Sequence, residues 1–262
     1  MEQFTIILIT GLMMGSIYAL VAFGFVLIYK CSGIVNFAVG NMVMIGAFMC
    51  FVTLDSLHLP VWTVWIVVLG VSAFMGWIIE RLALRPLLGQ PVLVAIMVTL
   101  AINEILWGIA QMAWGSMFAR YPAPLFPSGG IVVTSTFSIS SVRIWTLGIA
   151  LALFIGFTLF FMRTSRGLLM RAVAEGHDIA RSTGVSVSHT MSLTWIICAM
   201  VCGVGGILLG CVTTLSVELG IMGMKAFPAV IFGGLESIGG ALLGGLTIGV
   251  LEIFGAQYLD PI

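Results

Sequence analysis

Long charge-free runs alternate with short polar segments along the whole chain. Residues 4–29 carry no charge until Lys30, and the run is long enough to cross a hydrocarbon layer of about 30 Å. Glu2 precedes it, with no basic leader and no clear small-residue cleavage site, so it reads as a retained transmembrane helix. Further spans are expected at about 35–53, 61–79, 92–114, 144–162 and 191–215. The second is closed by Asp55, His58 and Pro60, and the third by Glu80, Arg81, Arg85 and Pro86. Residues 120–141 hold Pro122, Pro124, Pro127 and the Gly129–Gly130 pair; they are too broken for a helix and have strand character near 131–134. The last part differs. An apolar stretch at 227–232 is interrupted by Gly233, Gly234, Glu236, Gly239 and Gly240 before 241–254 resumes. A half-helix, a glycine break and a second helix fit this better than one straight span, and such backbone is tolerated at membrane depth only where protein or a water-filled cavity surrounds it. The expected fold is all-α: one polytopic transmembrane helical bundle over 1–262, with a broken, re-entrant helix near the C-terminus.

Composition narrows the class. Of 262 residues, 61% are hydrophobic and only 8% charged, with ten Lys and Arg balancing ten Asp and Glu. That excludes a soluble globular domain, a disordered chain and a nucleic-acid binder, and leaves a chain solvated mainly by the lipid bilayer. Loop 163–189 carries Arg163, Arg166, Arg171 and Arg181, the 80–91 loop carries Arg81 and Arg85, and Lys30 lies between the first two spans. Counting spans puts all three on one side, which the positive-inside rule makes the cytoplasm. The N-terminus and the 117–142 loop then lie outside, as expected of a multi-pass inner-membrane protein. Small residues recur four apart at Gly11/Gly15, Gly206/Gly210, Gly240/Gly244 and Gly245/Gly249, as close helix packing in a bilayer requires. Cys198 and Cys202 are one helical turn apart, but no His or acid completes a metal set, so no metal site is expected.

No GxxxxGK[ST] loop, HExxH motif or paired-carboxylate motif is present, so an enzyme is not expected and a transporter, channel or scaffold is left. Four stretches stand out. In 163–185, RTSRGLLMRAVAEGHDIARSTGV, Asp178 is a candidate N-cap for a short helix over 179–183 that Gly184 ends; this is either a rigid handle for a cytoplasmic partner or an ordinary basic loop. Asn36 and Asn41 open the second span and need partners in lipid, either along a pathway or as glue between helices. Asn103 and Glu104 lie near the middle of the fourth span, where a carboxyl is expensive and faces a cavity or a partner. Gly233, Gly234 and Glu236 mark the late break, and broken helices often border substrate pathways.

Taken together, GLMMGSIYALVAFGFVLIYKCSGIVNFAVGN, RAVAEGHDIARSTGV and FPAVIFGGLESIGGALLGG resemble the permease subunits of ABC importers for branched-chain amino acids, over nearly the whole chain. The resemblance implies that 171–185 is the coupling segment, with Arg171, Ala172, Glu175, Asp178, Ala180 and Gly184 set against a cytoplasmic ATPase. It implies two such ATPase subunits, which would carry the ATP and magnesium, a second permease, identical or homologous, and a periplasmic substrate-binding protein. This chain itself would need no cofactor. One departure stands out. The family's Asn-Phe-Ala-His-Gly-acid pattern reads Asn36, Phe37, Ala38, Val39, Gly40, Asn41 here, so the resemblance carries neither the His nor the acid to this chain. Family members also usually run on with one more helix and an Arg-Pro-x-Gly tail, whereas this sequence stops at Ile262.

The expected function is a permease for branched-chain or related amino acids, with Asn36, Asn41, Asn103, Glu104, Gly233, Gly234 and Glu236 along the path. A urea or short-amide permease is the alternative within the class. An ion-coupled carrier acting alone and a membrane scaffold are the alternatives outside it.

Overall fold

The computed structural model describes residues 2–87, 89–115, 117–127, 129–134 and 137–258. In chain order the helices are α1 (Glu2–Ser32), α2 (Val39–Asp55), α3 (Val61–Ile78), α4 (Val92–Trp114), α5 (Ser141–Arg163), α6 (Ser165–Glu175), α7 (His177–Ser182), α8 (Val187–Val212), α9 (Leu219–Met224), α10 (Ala226–Gly233) and α11 (Ile238–Tyr258). Between α4 and α5, the strands β1 (Gly130–Thr134) and β2 (Phe137–Ser140) pair antiparallel, with Gly130 opposite Ser140. Six of the helices are long and apolar enough to cross a membrane. The apolar runs fold this way because lipid offers no partner for a backbone N–H or C=O, so each segment satisfies its own. Pro60 and Pro91 stand at the N-caps of α3 and α4, where a missing N–H costs nothing.

Burial sorts the helices into a core and a shell. The most apolar stretches of α1 and α8 are 72% and 78% buried, against 17–28% for α3, α4, α5 and α11. α2 is also interior, buried on nearly every side. Glycine sets how closely this core packs. The Gly11/Gly15 stripe of α1 lies directly on Gly245 and Gly249 of α11: a Cβ at Gly249 would come within 2.2 Å of the Gly15 backbone nitrogen. α2 meets α8 the same way, since a Cβ at Gly206 would stand 2.1 Å from the Val43 carbonyl oxygen. Backbones this close gain dispersion contacts along their length, which replace the hydrophobic drive that lipid removes.

Past Ile78 the α3 backbone widens into one π-type turn, Ile79–Leu84. The turn brings Glu80, only 2% exposed, to α8, where its carboxylate accepts from Ser192 Oγ at 2.5 Å and from Arg85 Nε at 3.2 Å. Arg85 also donates to Ser192 Oγ at 2.9 Å, which closes the ring. A buried acid is thus paired and hydrogen-bonded, the condition for keeping it there.

The basic segments gather at one end of the bundle. Ser32 borders one recess with Glu80, Arg85 and Trp195, and another with Lys30, His177 and Glu236. At the other end, Ala119 and Leu215 exchange backbone hydrogen bonds at 3.1 and 2.8 Å, tying the loop after α4 to the segment between α8 and α9. Tyr121 in that loop donates to the Ala47 carbonyl at 3.2 Å, and burial pushes its phenol well above the usual range.

Candidate functional site

Residues 33–38 connect α1 to α2 without forming a helix and run beside α4. Thr99 Oγ1 lies 3.3 Å from the Val35 carbonyl and accepts the Phe37 N–H at 3.4 Å. Asn36, 1% exposed, turns its carboxamide back on the chain: Oδ1 accepts the Ala38 N–H at 3.0 Å, and Nδ2 lies 3.6 Å from Met42 Sδ. Its geometry is that of an Asx turn that starts α2. This connection sets Asn41 level with Asn103, about 17 Å along α4 at 1.5 Å per residue.

There the two amides form a directed chain. Asn41 Nδ2 donates both to the Asn103 carbonyl at 2.8 Å and to its Oδ1 at 2.9 Å. Asn103 Nδ2 in turn donates to Glu104 Oε1 at 3.3 Å. On the other side of Asn41, Gly220 of α9 leaves no room for a side chain, since a Cβ would fall 2.0 Å from Asn41 Oδ1. Phe37, Leu100, Trp107, Val217, Ile221 and Met224 complete a notch of about 350 Å³. Behind it, Phe227 packs against Phe25 and Phe37, with ring centroids 5.7 and 5.5 Å apart. The structure therefore brings together Asn41, Asn103 and Glu104 from helices far apart in sequence, while Asn36 stays behind the wall.

Gly233, Gly234 and Glu236 lie elsewhere. Gly234, at φ 92°, turns the chain between α10 and α11, and Gly233 packs so tightly on Gly240 that a Cβ would reach 2.0 Å from its oxygen. The Glu236 carbonyl accepts from Lys30 Nζ at 3.0 Å. A recess of about 260 Å³ beside it is shared with Val173, Gly176 and His177, at the end of the bundle where the basic segments meet.

That end also carries the 163–185 segment, as two short helices. Thr164 caps α6 by accepting the Gly167 N–H at 3.0 Å. Arg171 bonds back to the Phe161 carbonyl and lies 5.8 Å from that ring's centroid, clamping α6 to α5. His177 Nε2 lies 2.9 Å from the Cys31 carbonyl, at the end of α1. Gly176 caps α7 in place of Asp178, because its extended φ of 162° sets the helix start two residues earlier; Asp178 then lies in the first turn, 3.8 Å from Arg181. Gly184 ends the helix in the manner the sequence suggests: at φ 83°, its N–H reaches the Arg181 carbonyl and the Val185 N–H reaches that of Ala180, both at 3.0 Å. Val173 and Ala180 are buried, Ala172 is half-buried, and Glu175, Asp178, Ile179 and Arg181 point outward.

A further polar cluster escaped the sequence reading. Tyr18 Oη donates to Glu252 Oε2 at 2.6 Å, and Lys225 pairs with Glu252 Oε1. The signal was present, since a carboxylate inside the 241–254 run has to find a partner. Its cation stands 27 residues away, where α9 gives way to α10.

What this arrangement offers a solute is a surface to pass along rather than a group to transform it, and its class is that of a multi-pass membrane permease. The description "Branched-chain amino acid transport system / permease component" matches residues 7–261, and the chain belongs to that family. It is 32% identical to the high-affinity branched-chain amino acid transport system permease protein BraD of Pseudomonas aeruginosa, over 97% of this chain and 89% of the relative. Identity to the permease protein LivH of Escherichia coli K12 is 31%, over 99% and 89%. The probable LivH of Methanocaldococcus jannaschii is 30% identical, over 93% and 78%. Among solved structures, PsaBC from Streptococcus pneumoniae in complex with Fab aligns with 96% of this chain and 83% of its own, at 15% identity and a TM-score of 0.47.

Proposed function

We propose that the chain is one of two permeases in an ATP-driven importer of the inner membrane, passing branched-chain or related amino acids handed over by a periplasmic binding protein. Its N-terminus is outside, and the basic end faces the cytoplasm. Two ATPase subunits, which bind the ATP and magnesium, press on α6 and α7; the bundle then alternates between inward-facing and outward-facing forms. Asn41, Asn103 and Glu104 stand at mid-path, and Gly233, Gly234 and Glu236 at its inner mouth.

The observation that carries this reading is the capped, outward-facing α7, held to the core through Ala180 and, at α1, through His177. A carrier working alone has no use for such a handle. A notch walled by apolar side chains and amides suits a zwitterion with an aliphatic side chain, which must be guided without being held.

Purification in mild detergent from cells expressing the whole set of subunits is expected to yield this chain with a second permease and two ATPases. With the binding protein and ATP, proteoliposomes holding that complex take up leucine, and excess urea does not compete. Gradient-driven uptake by the chain alone, without ATP, would overturn the proposal. Asn41→Leu, which removes both bonds to Asn103, is expected to lower ATP-driven uptake about tenfold with the complex still assembled, as the loss of a buried amide bond suggests. Uptake within twofold of the parent would remove Asn41 from the path.

A further inference from the structure

We propose that Glu104 is this chain's recognition group for the substrate's α-ammonium, and that the carboxylate half of the site comes from the permease facing it. The inference rests on the function proposed above and assigns the polarity of the notch.

Glu104 Oε1 accepts one bond, from Asn103 Nδ2. No described residue donates to Oε2. The notch is bordered by six apolar side chains, Gly220, Asn41, Asn103 and Glu104, and no Lys or Arg is among them. The direction of the hydrogen bonds matters as much. Asn41 commits both N–H groups of its amide to Asn103, and Asn103 passes one of its own to Glu104. The chain of dipoles therefore ends on an acceptor, and the group turned to the solute is a carboxylate.

An acid at mid-span faces a cavity or a partner; Glu104 is exposed in the single chain, and the partner that matches its charge is a cation. The wall supplies none, and beside the acid it offers Leu100, Ile221 and Met224 to an apolar body. A positive head on an aliphatic group is the chemistry that satisfies both. A carboxylate is unwelcome on this wall, where it would meet Glu104 and find no cation. The notch is open along α4, whose Leu100, Ile105 and Trp107 are exposed in the single chain. What closes that side must then bring the donors for the substrate's carboxylate.

The test uses the whole complex in detergent, without binding protein, and radiolabelled leucine. On the unmodified complex, 3-methylbutylamine (the ammonium without the carboxylate) is expected to compete with leucine, and 4-methyl-2-oxopentanoate (the carboxylate without the ammonium) to compete at least tenfold less well. Glu104→Gln is expected to weaken leucine binding about tenfold to a hundredfold, the range for losing a charge-assisted bond. It should also abolish the preference for the amine. The inference is overturned if the oxo acid competes as well as the amine. It fails equally if the unmodified complex binds no leucine at millimolar concentration, or if assembled Glu104→Gln binds it unchanged. Should the variant not assemble, the competition on the unmodified complex decides alone. ATP-driven leucine uptake, measured in parallel, separates this failure from that of the transport function: uptake intact with the wrong competitor removes Glu104 only, and no uptake at all removes the function.

Discussion

Replacing Gly249 by valine is expected to leave almost no folded protein. At this position α11 touches α1 backbone to backbone: a Cβ would stand 2.2 Å from the Gly15 nitrogen and 2.7 Å from the Gly11 carbonyl oxygen. The conflict is with the Cβ itself, so no rotamer relieves it and the two helices must part. The same seam holds Gly245 against Ala19, and beside it Tyr18 bonds Glu252, so separation there unpacks the buried α1 and takes from Glu252 one of its two partners, leaving Lys225. Overpacking a single site costs about 1–3 kcal/mol. Opening a whole seam adds the lost contacts of each layer, against a total stability of about 5–15 kcal/mol. In detergent extracts, the folded peak on fluorescence-detected size exclusion should fall more than tenfold. Gly255→Val is the matched control on the same helix, with nothing within 4 Å of its Cβ, and should give near-parental yield. Equal yields from the two variants would mean that α1 and α11 do not meet along this face.

Ile179→Asp should act at the opposite extreme, leaving the fold intact and abolishing transport. Ile179 is 65% exposed on α7, while Ala180 beside it is buried and holds the helix to the bundle. A large apolar side chain presented on a short capped helix is the kind of group that fills a pocket on a partner, where a charge in its place costs tens- to hundreds-fold in affinity. Loss of the ATPase subunits from the purified complex and at least a tenfold fall in uptake are expected, at unchanged yield of the permease itself. Gly184→Val should weaken the same contact through the backbone, because a β-branched residue at φ 83° is strained by about 1–2 kcal/mol. Normal ATPase recovery with Ile179→Asp would show that α7 is not the point of attachment.

The spans were legible because a run of apolar residues long enough to cross lipid has few other fates. Residues 92–114 became α4 at the expected bounds, and the strand character near 131–134 became β1. The glycine stripes were visible too, but spacing gives only the face of a helix. That Gly11 and Gly15 meet Gly245 and Gly249, and that Gly206 meets α2, is decided by topology. Asn41 and Asn103 were each recognisable as polar groups needing a partner, yet their pairing spans 62 residues and depends on the non-helical connection that raises the start of α2. Gly220, which shapes the notch from the other side, gave no signal, because its importance comes from an oxygen on α2 that no local pattern reveals. Asp178 lost its capping place because an extended glycine two residues earlier starts the helix first.

Lys225 emerges from the ribosome 27 residues ahead of Glu252, the acid that answers it. Until α11 follows, that cation has no partner on its own side of the chain, and the two helices flanking it, of six and eight residues, are each too short to traverse the bilayer. The pair that ties the α9–α10 junction to α11 can form only once α11 has been made.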